Sequence, residues 1–471
     1  MDMFTGLLKE IETSQSAVDA FERFHDEVNS VFLDSGMSIN GMGRYSFIAR
    51  DPFLTFSCKS TQITITSFQN EETLNTTDPL TVLKQLLAKY TLPSHSESGP
   101  FLGGAIGYFG YDLCYILEKL PNNSVDDIQI PDCYFGFYDT ILIFDHLLGK
   151  TTISSTGFPE KEPKARQKRA QERMLEMEAL IQRPFTPKEH PQSQPKSLNK
   201  HFNENSYCKS IQKAIDYIYA GDLFQVNMTQ RFDALFNESP FALYKRLRTI
   251  NPAPYASYLH FPEVIVASAS PERYLQLKGS SVETRPIKGT RPRGTNSIQN
   301  EISRTELWES DKDRAELMMV TDLARNDLGK VCLFGSIKVP DLIRLEEYPT
   351  VYHLVSTVTG TLIPDKNIID LIRASFPGGS ITGAPKIRAM ELIDELEPTR
   401  RAIYTGSIGY IDFCGDADLN IVIRTFLIKN NKVYFQAGGG IVADSDPKAE
   451  YQESLDKARA LMQALEANGL S

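Results

Sequence analysis

The chain has 471 residues, 41% hydrophobic and 23% charged, enough for roughly two or three domain-sized units around a large core. Its formal net charge of −10 excludes nucleic acid as the default partner and makes any basic stretch a local feature. No window approaches the roughly eighteen apolar residues of a membrane span, and the opening "MDMFTGLLKEIETSQ" has no long apolar core, so neither an anchor nor a secretory signal is expected.

In chain order, "YSFIARDPFLTFSC", "QITITSF", "FLGGAIGYFGYD" and "YDTILIFDHL" read as strands, giving an antiparallel sheet with some helices over residues 1–182. A charged helix is expected around Glu160 to Gln182. Residues 183–201, "RPFTPKEHPQSQPKSLNKH", carry four prolines and almost no hydrophobic side chain, and read as a linker. Residues 202–471 form the second unit. There "YCKSIQKAIDYIYAGD" is an amphipathic helix ending at Gly221, followed by the strand "LFQVNMTQRF"; strands then dominate to about Gly289. Helices are expected from about Glu309 to Leu328 and from Ile387 to Glu395. "GSIGYIDF", "LNIVIRTFLI" and "YFQAGGGIVADSD" read as strands, and the closing helix takes Asp446 as N-cap with Pro447 at its first position. Strands and helices mix without βαβ alternation, so the class is α+β. Six cysteines without CxxC spacing read as reduced thiols of a cytoplasmic protein.

The segment "VETRPIKGTRPRG" sets Lys288 among arginines, prolines and glycines. Nearby cations disfavour the ammonium form and the prolines and glycines fix the backbone; both suit a nucleophilic amine, against the plainer reading of a solvated lysine. A hairpin centred near Ser280 in "YLQLKGSSVETRPIK" puts Glu272 directly opposite Lys288, where cross-strand partners share one cavity. Asp313 and Glu316 lie three apart on one helix face, as do Glu450 and Glu453 on another with Lys457 one turn on. Such pairs are usually solvated faces, but two of them on separate helices suit an all-oxygen Mg²⁺ site. "GGSITGAPK" lacks the Gly-Lys-Ser/Thr of a P-loop. The "AGGGIV" run permits close backbone approach to a ligand, or marks a bulge. Arg424, inside an apolar strand, either meets an internal acid or awaits a carboxylate ligand. His353 in "VYHLVS" is, taken alone, a satisfied core residue.

Together "SASPERY", "PIKGT", "DRAELMMVTDLARNDLG", "HLVSTVTG", "FPGGSITGAPKIRAMELIDELEP", "IVIRTF" and "AGGGIVADSDPKAEYQESLDKA", in that order, resemble the chorismate-utilising enzymes; "GRYSFIARDP" and "GGAIGYFGYD" carry a weaker likeness over the first half. The resemblance implies two interleaved layers of antiparallel sheet with helices outside, the N-terminal region packing into the catalytic half. It implies amination of chorismate at C4 on the route to p-aminobenzoate and folate, with Lys288 as covalent nucleophile, Glu272 as proton donor and His353 in the active site. Anthranilate-forming members typically have alanine where this chain has Lys288. Isochorismate- and salicylate-forming members have a lysine base where it has Gln225.

By the same resemblance, Glu316 and Glu453 match direct Mg²⁺ ligands, and Asp313 and Glu450 match holders of metal-bound water. Tyr404, Arg424, Gly439 and Gly440 match a carboxylate site to which Ser380 and Lys457 contribute. Ser35, the run Arg44, Tyr45, Ser46 and Phe47, and the run Pro254, Tyr255 and Ala256 match a tryptophan site of some relatives. A separate glutamine amidotransferase subunit is the implied source of ammonia. The rival readings are an anthranilate-forming subunit, a ligand-binding regulatory subunit without turnover, and pyridoxal phosphate chemistry on Lys288.

Overall fold

The computed structural model describes residues 6–39, 41–68, 70–93, 101–186, 196–465 and 467–468; much of the expected linker, residues 187–195, lies outside the described residues. Two large antiparallel sheets organise the chain, and each draws strands from both sides of that linker. In the first, Leu7–Ile11, Lys150–Ser155, Thr140–Asp145, Tyr45–Ala49 and Ser30–Asp34 run on into Tyr255–His260, Ile265–Ser270, Thr425–Lys429, Lys432–Ile441 and Gln225–Leu235. The seam sets Phe32 opposite Tyr258. In the second, Val351–Thr361, Ser281–Thr284, Arg273–Lys278, Ala417–Asn420 and Ser407–Asp412 continue into Gly104–Phe109, Cys133–Tyr138, Leu54–Lys59 and Gln62–Ser67. Here Gly409 faces Gly107 across the seam. The α+β class and the interleaved layers are both present.

Apolar patterning explains the layering. Gly104–Phe109 and Cys133–Tyr138 are buried along their whole length, as strands covered on both faces must be. Val31, Phe47, Tyr108, Ile141 and Leu427 fill the space between the sheets. Phe21, Phe241, Tyr258 and Leu461 join helices to the outer face of the first sheet, and Leu83, Leu275 and Leu371 belong to a cluster that includes the second. Each such side chain contributes roughly 1.5–3 kcal/mol on burial.

Helix boundaries follow caps. Glu204–Tyr219 buries Tyr207, Ile211, Ala214 and Ile215, one amphipathic stripe, and Gly221 beyond it has φ +85°. The closing helix is Pro447–Leu465; the Asp446 carboxylate accepts from the N–H groups of Lys448 and Ala449 at 3.1 and 2.9 Å, the expected N-cap. Three helices were not expected: Pro240–Ile250, where strands were to dominate, and Ser297–Trp308 and Ile368–Ser375, where no element was assigned. Each opens on a side-chain cap, from Ser239, Asn296 and Asn367, a local signal that outweighs the short apolar runs.

"LNIVIRTFLI" is not one strand. Ala417–Asn420 belongs to the second sheet and Thr425–Lys429 to the first, so residues 421–424 carry the chain between layers. Arg424 ends this crossing with φ +52°, a conformation uncommon for a side chain of that size.

Candidate active site

The hairpin before Lys288 is centred between Gly279 and Ser280, which moves each cross-strand partner by one residue from a centre at Ser280. Gln276 faces Glu283 and Lys278 faces Ser281, with Gly279 at φ +56° in the two-residue loop. Ser281–Thr284 pauses at Arg285-Pro286 and resumes as Ile287–Pro292 against the same partner, Val351–Thr361. Glu272 therefore stands beside Ile287, whose N–H donates to its Oε1 at 3.4 Å, and is not the cross-strand partner of Lys288. Lys288 is the next residue, and the two charges still act on each other. The two groups are close enough to act on each other, but the register that was to pair them does not hold.

A bulge shapes the other side of Lys288. Lys288 faces Leu354 and Thr290 faces His353, with a register shift at Gly289 between them. Gly289 has φ +69°, and a Cβ there would come within 2.9 Å of Leu307 and 3.0 Å of Asp313. Only glycine meets both demands. The bulge lets the Thr290 hydroxyl meet His353 Nδ1 at 2.9 Å, while His353 Nε2 is buried with no partner among the described residues. Burial, then the nearby Arg424, drives the imidazole pKa down to about 3, so the ring is neutral at working pH. His353 thus lies one ladder position from the Leu354 that faces Lys288.

Lys288 Nζ lies 3.9 Å from Glu316 Oε2, both side chains largely buried. Burial lowers the lysine pKa, with Glu316 opposing, and raises that of Glu316, with Lys288 opposing. Glu272 is pushed up to about 7 by burial, against the Ser380 hydroxyl and Lys288. A buried amine shifted towards its neutral form thus stands beside a carboxylic acid that holds its proton near neutrality, the two halves of nucleophilic and general-acid chemistry.

Acidic residues of two helices approach one another. Asp313 and Glu316 come from the helix Asp311–Gly329, Glu450 and Glu453 from Pro447–Leu465. Glu316, Glu450 and Glu453 meet at the backbone of Gly439 and Gly440, while Asp313 lies against Gly289. A Cβ on Gly439 would lie 3.3 Å from Glu453 Oε1 and 3.4 Å from Glu450 Oε2, and one on Gly440 would lie 3.5 Å from Glu316 Oε2. Cations answer these acids: Lys457 lies 2.7 Å from Glu453, Lys312 3.6 Å from Glu450 and Arg291 2.9 Å from Asp313. Among the described residues no three His, Cys, Asp or Glu side chains form a ready-made metal cage.

Opposite the acids, Gly440 pairs with Asn227 and the ladder runs through the glycines without a shift, so close approach, not a bulge, explains "AGGGIV". A Cβ on Gly440 would sit 2.1 Å from Gln225 Nε2. The Gln225 amide is fully buried, with neither its nitrogen nor its oxygen partnered among the described residues. Among the described residues Arg424 meets no acid; its Nη1 donates to Asn251 Oδ1 at 2.9 Å, and burial lowers its pKa. Tyr404 is buried nearby.

The segments around Ser35 also adjoin one another. The Ser35 N–H donates to Ser46 Oγ at 3.0 Å and its hydroxyl to the Tyr45 carbonyl at 2.5 Å. Ala256 faces Asp34, which brings Pro254 and Tyr255 alongside, and Tyr45 and Phe47 stack at 6.1 Å. The Arg44 guanidinium is committed to Asp145 at 2.6 Å. Sequence reasoning missed Thr290, Asn251, Lys312 and Tyr348, whose ring meets His353 edge-on at 4.9 Å; only Thr290, beside the Gly289 bulge, had a local signal.

A family model described as chorismate binding enzyme matches residues 43–463. The chain belongs to that family. Aminodeoxychorismate synthase component 1 of Escherichia coli (strain K12) is 40% identical over 438 residues, 93% of each chain. Anthranilate synthase component 1 of Acetivibrio thermocellus is 37% identical over 462 residues, 97% of this chain and 94% of that one. The crystal structure of anthranilate synthase component I from Streptococcus pneumoniae TIGR4 superposes with a TM-score of 0.79 at 33% identity, covering 90% of this chain and 93% of that one. The site is that of a chorismate-utilising enzyme. Among the described residues no helix is long and apolar enough to cross a membrane.

Proposed function

We propose that the chain is component 1 of an aminodeoxychorismate synthase, converting chorismate and ammonia to 4-amino-4-deoxychorismate and water for p-aminobenzoate and folate biosynthesis. The observation that carries this reading is the buried Lys288 amine between Glu316 and the proton-bearing Glu272. In the proposed reaction neutral Lys288 adds to C2 of chorismate, both conjugated ring double bonds shift, and the C4–O bond breaks as Glu272 delivers its proton, releasing water. Ammonia then adds at C4, both double bonds shift back and the C2–N bond to Lys288 breaks, so the enolpyruvyl group is retained. Arg424 and Tyr404, with the Gly439 and Gly440 backbone, receive a substrate carboxylate; neutral His353 offers a hydrogen bond without adding charge.

Mg²⁺ fits the oxygen-only donors gathered at Gly439 and Gly440, since this ion takes one or two carboxylates and completes its shell with water and substrate oxygens. Glu316 and Glu453 would hold it, with Asp313 and Glu450 behind them, and Lys457 would give up Glu453. Held there, it would supply positive charge to bind and screen a substrate carboxylate. Ammonia comes from a glutamine amidotransferase partner, by analogy with component 1 relatives. Tryptophan is the proposed occupant of the segments around Ser35.

The test incubates the protein with chorismate and Mg²⁺ without ammonia. Intact mass should rise by one chorismate less one water, on the peptide bearing Lys288, and Lys288→Ala should abolish the gain. Unmodified protein that still makes the 4-amino product at full rate would sink the covalent route. Anthranilate synthase relatives of similar identity favour a second reading; released pyruvate and a fluorescent aromatic product would select it.

A further inference from the structure

Arg401 has no part in the chemistry above, yet it is 1% exposed. A guanidinium that deep requires all five of its N–H groups to be answered, and they are. Nε and Nη2 donate to the Glu397 carboxylate at 3.0 and 2.7 Å. Nη2 also donates to the Asn227 carbonyl at 2.7 Å. Nη1 donates to the Ile381 carbonyl at 3.0 Å and the Thr405 hydroxyl at 3.4 Å. Glu397, itself 4% exposed, accepts in addition from the Thr229 N–H and hydroxyl at 2.8 and 2.9 Å.

Every segment this fork touches carries a site residue. Asn227 faces Gly440, lies on the Gln225 strand, and donates from Nδ2 to the Ser380 carbonyl at 2.6 Å. Ile381 follows Ser380, whose hydroxyl reaches Glu272. Thr405 follows Tyr404 and donates to the Tyr404 carbonyl at 2.6 Å; the Tyr404 N–H in turn donates to the Arg401 carbonyl at 3.0 Å. One planar group thus fixes the spacing between the Gln225 strand, the turn Gly379–Ile381 and the turn at Tyr404. A lysine, with three donors on a point charge, cannot span the same carbonyls.

We propose that Arg401, braced by Glu397, is a positioning residue that sets Tyr404, Ser380 and Gln225 at their working distances around chorismate. The proposal rests on the chorismate reading, so the unaltered chain is assayed first with chorismate, ammonium and Mg²⁺; no turnover there removes that reading and this one with it. Two variants then test the proposal itself. Arg401→Lys keeps the charge and loses the fork. The double change Arg401→Met with Glu397→Met replaces the pair by apolar side chains, an exchange that buried ion pairs often tolerate. Assayed well below their melting temperatures, both should show a raised chorismate KM and kcat lowered about tenfold for the lysine variant and about a hundredfold for the double, the scale of an ångström of misplacement. The proposal is overturned by a folded variant with unaltered kcat and KM, or by losses that vanish on cooling. A pair of variants too unstable to assay at any temperature overturns it too, by assigning Arg401 to stability alone.

Discussion

At the residue scale, the site depends on burial changing what two ordinary side chains do. Glu272 has its pKa raised from 4.5 to about 7, so its protonated form is the one the fold favours. That contribution is complete below about pH 4.5 and is lost as pH rises through about 7. Glu272→Gln should therefore melt like the parent at pH 4.5 and above it at pH 8, with a gain of about 3 kcal/mol from a shift of that size, checked by denaturant unfolding at both values. Turnover of the parent should fall on the basic side of about pH 7 as the acid loses its proton, and the variant should lose activity at every pH. Lys288, Glu316 and Glu453 were legible in the sequence because their helix and loop contexts are local. The partner of Glu272 was misplaced by one residue. The Gly279-Ser280 pair is a two-residue hairpin signal, and it puts the centre half a residue earlier than a turn at Ser280. Arg401 and Asn251 were not legible, because nothing in the chain near them says which distant carbonyl or guanidinium they meet.

At the scale of elements, the site is built where two helices and two strands approach more closely than side chains normally permit. Both the Gln225 amide and Glu316 lie against the position that a Gly440 Cβ would take. A methyl group at Gly440 must displace a side chain that is wholly enclosed, and such overpacking costs about 1–3 kcal/mol. Gly440→Ala should be destabilised by that amount, and Gln225→Ala added to it should recover most of the loss; thermal melts of the parent, both single variants and the double form the cycle that checks this. Strong periodicity exposed the helices Glu204–Tyr219 and Asp311–Gly329 in advance. Ser297–Trp308 was hidden because Leu307 is its one buried residue, which leaves no apolar stripe to read.

At the scale of the molecule, neither half of the chain owns a sheet. The Ser30–Asp34 strand needs Tyr255–His260, and Gly104–Phe109 needs Ser407–Asp412. Residues 1–182 and 202–471 made separately should each expose an unpaired central strand edge and aggregate, whereas co-expression should return a soluble complex that melts in one transition. Two separately soluble, independently melting pieces would contradict this. The α+β class followed from the strand pattern alone, but the interleaving did not, since pairing between strands roughly two to three hundred residues apart leaves no periodic trace.

The crossing at residues 421–424 gives Arg424 two jobs. Its backbone reverses the local hand of the chain as it leaves one layer for the other, and its head group, bonded to Asn251, meets no acid among the described residues. The aim of that cation is therefore inherited from the architecture: any rearrangement that slides the layers past each other would swing it off target before touching a single catalytic side chain.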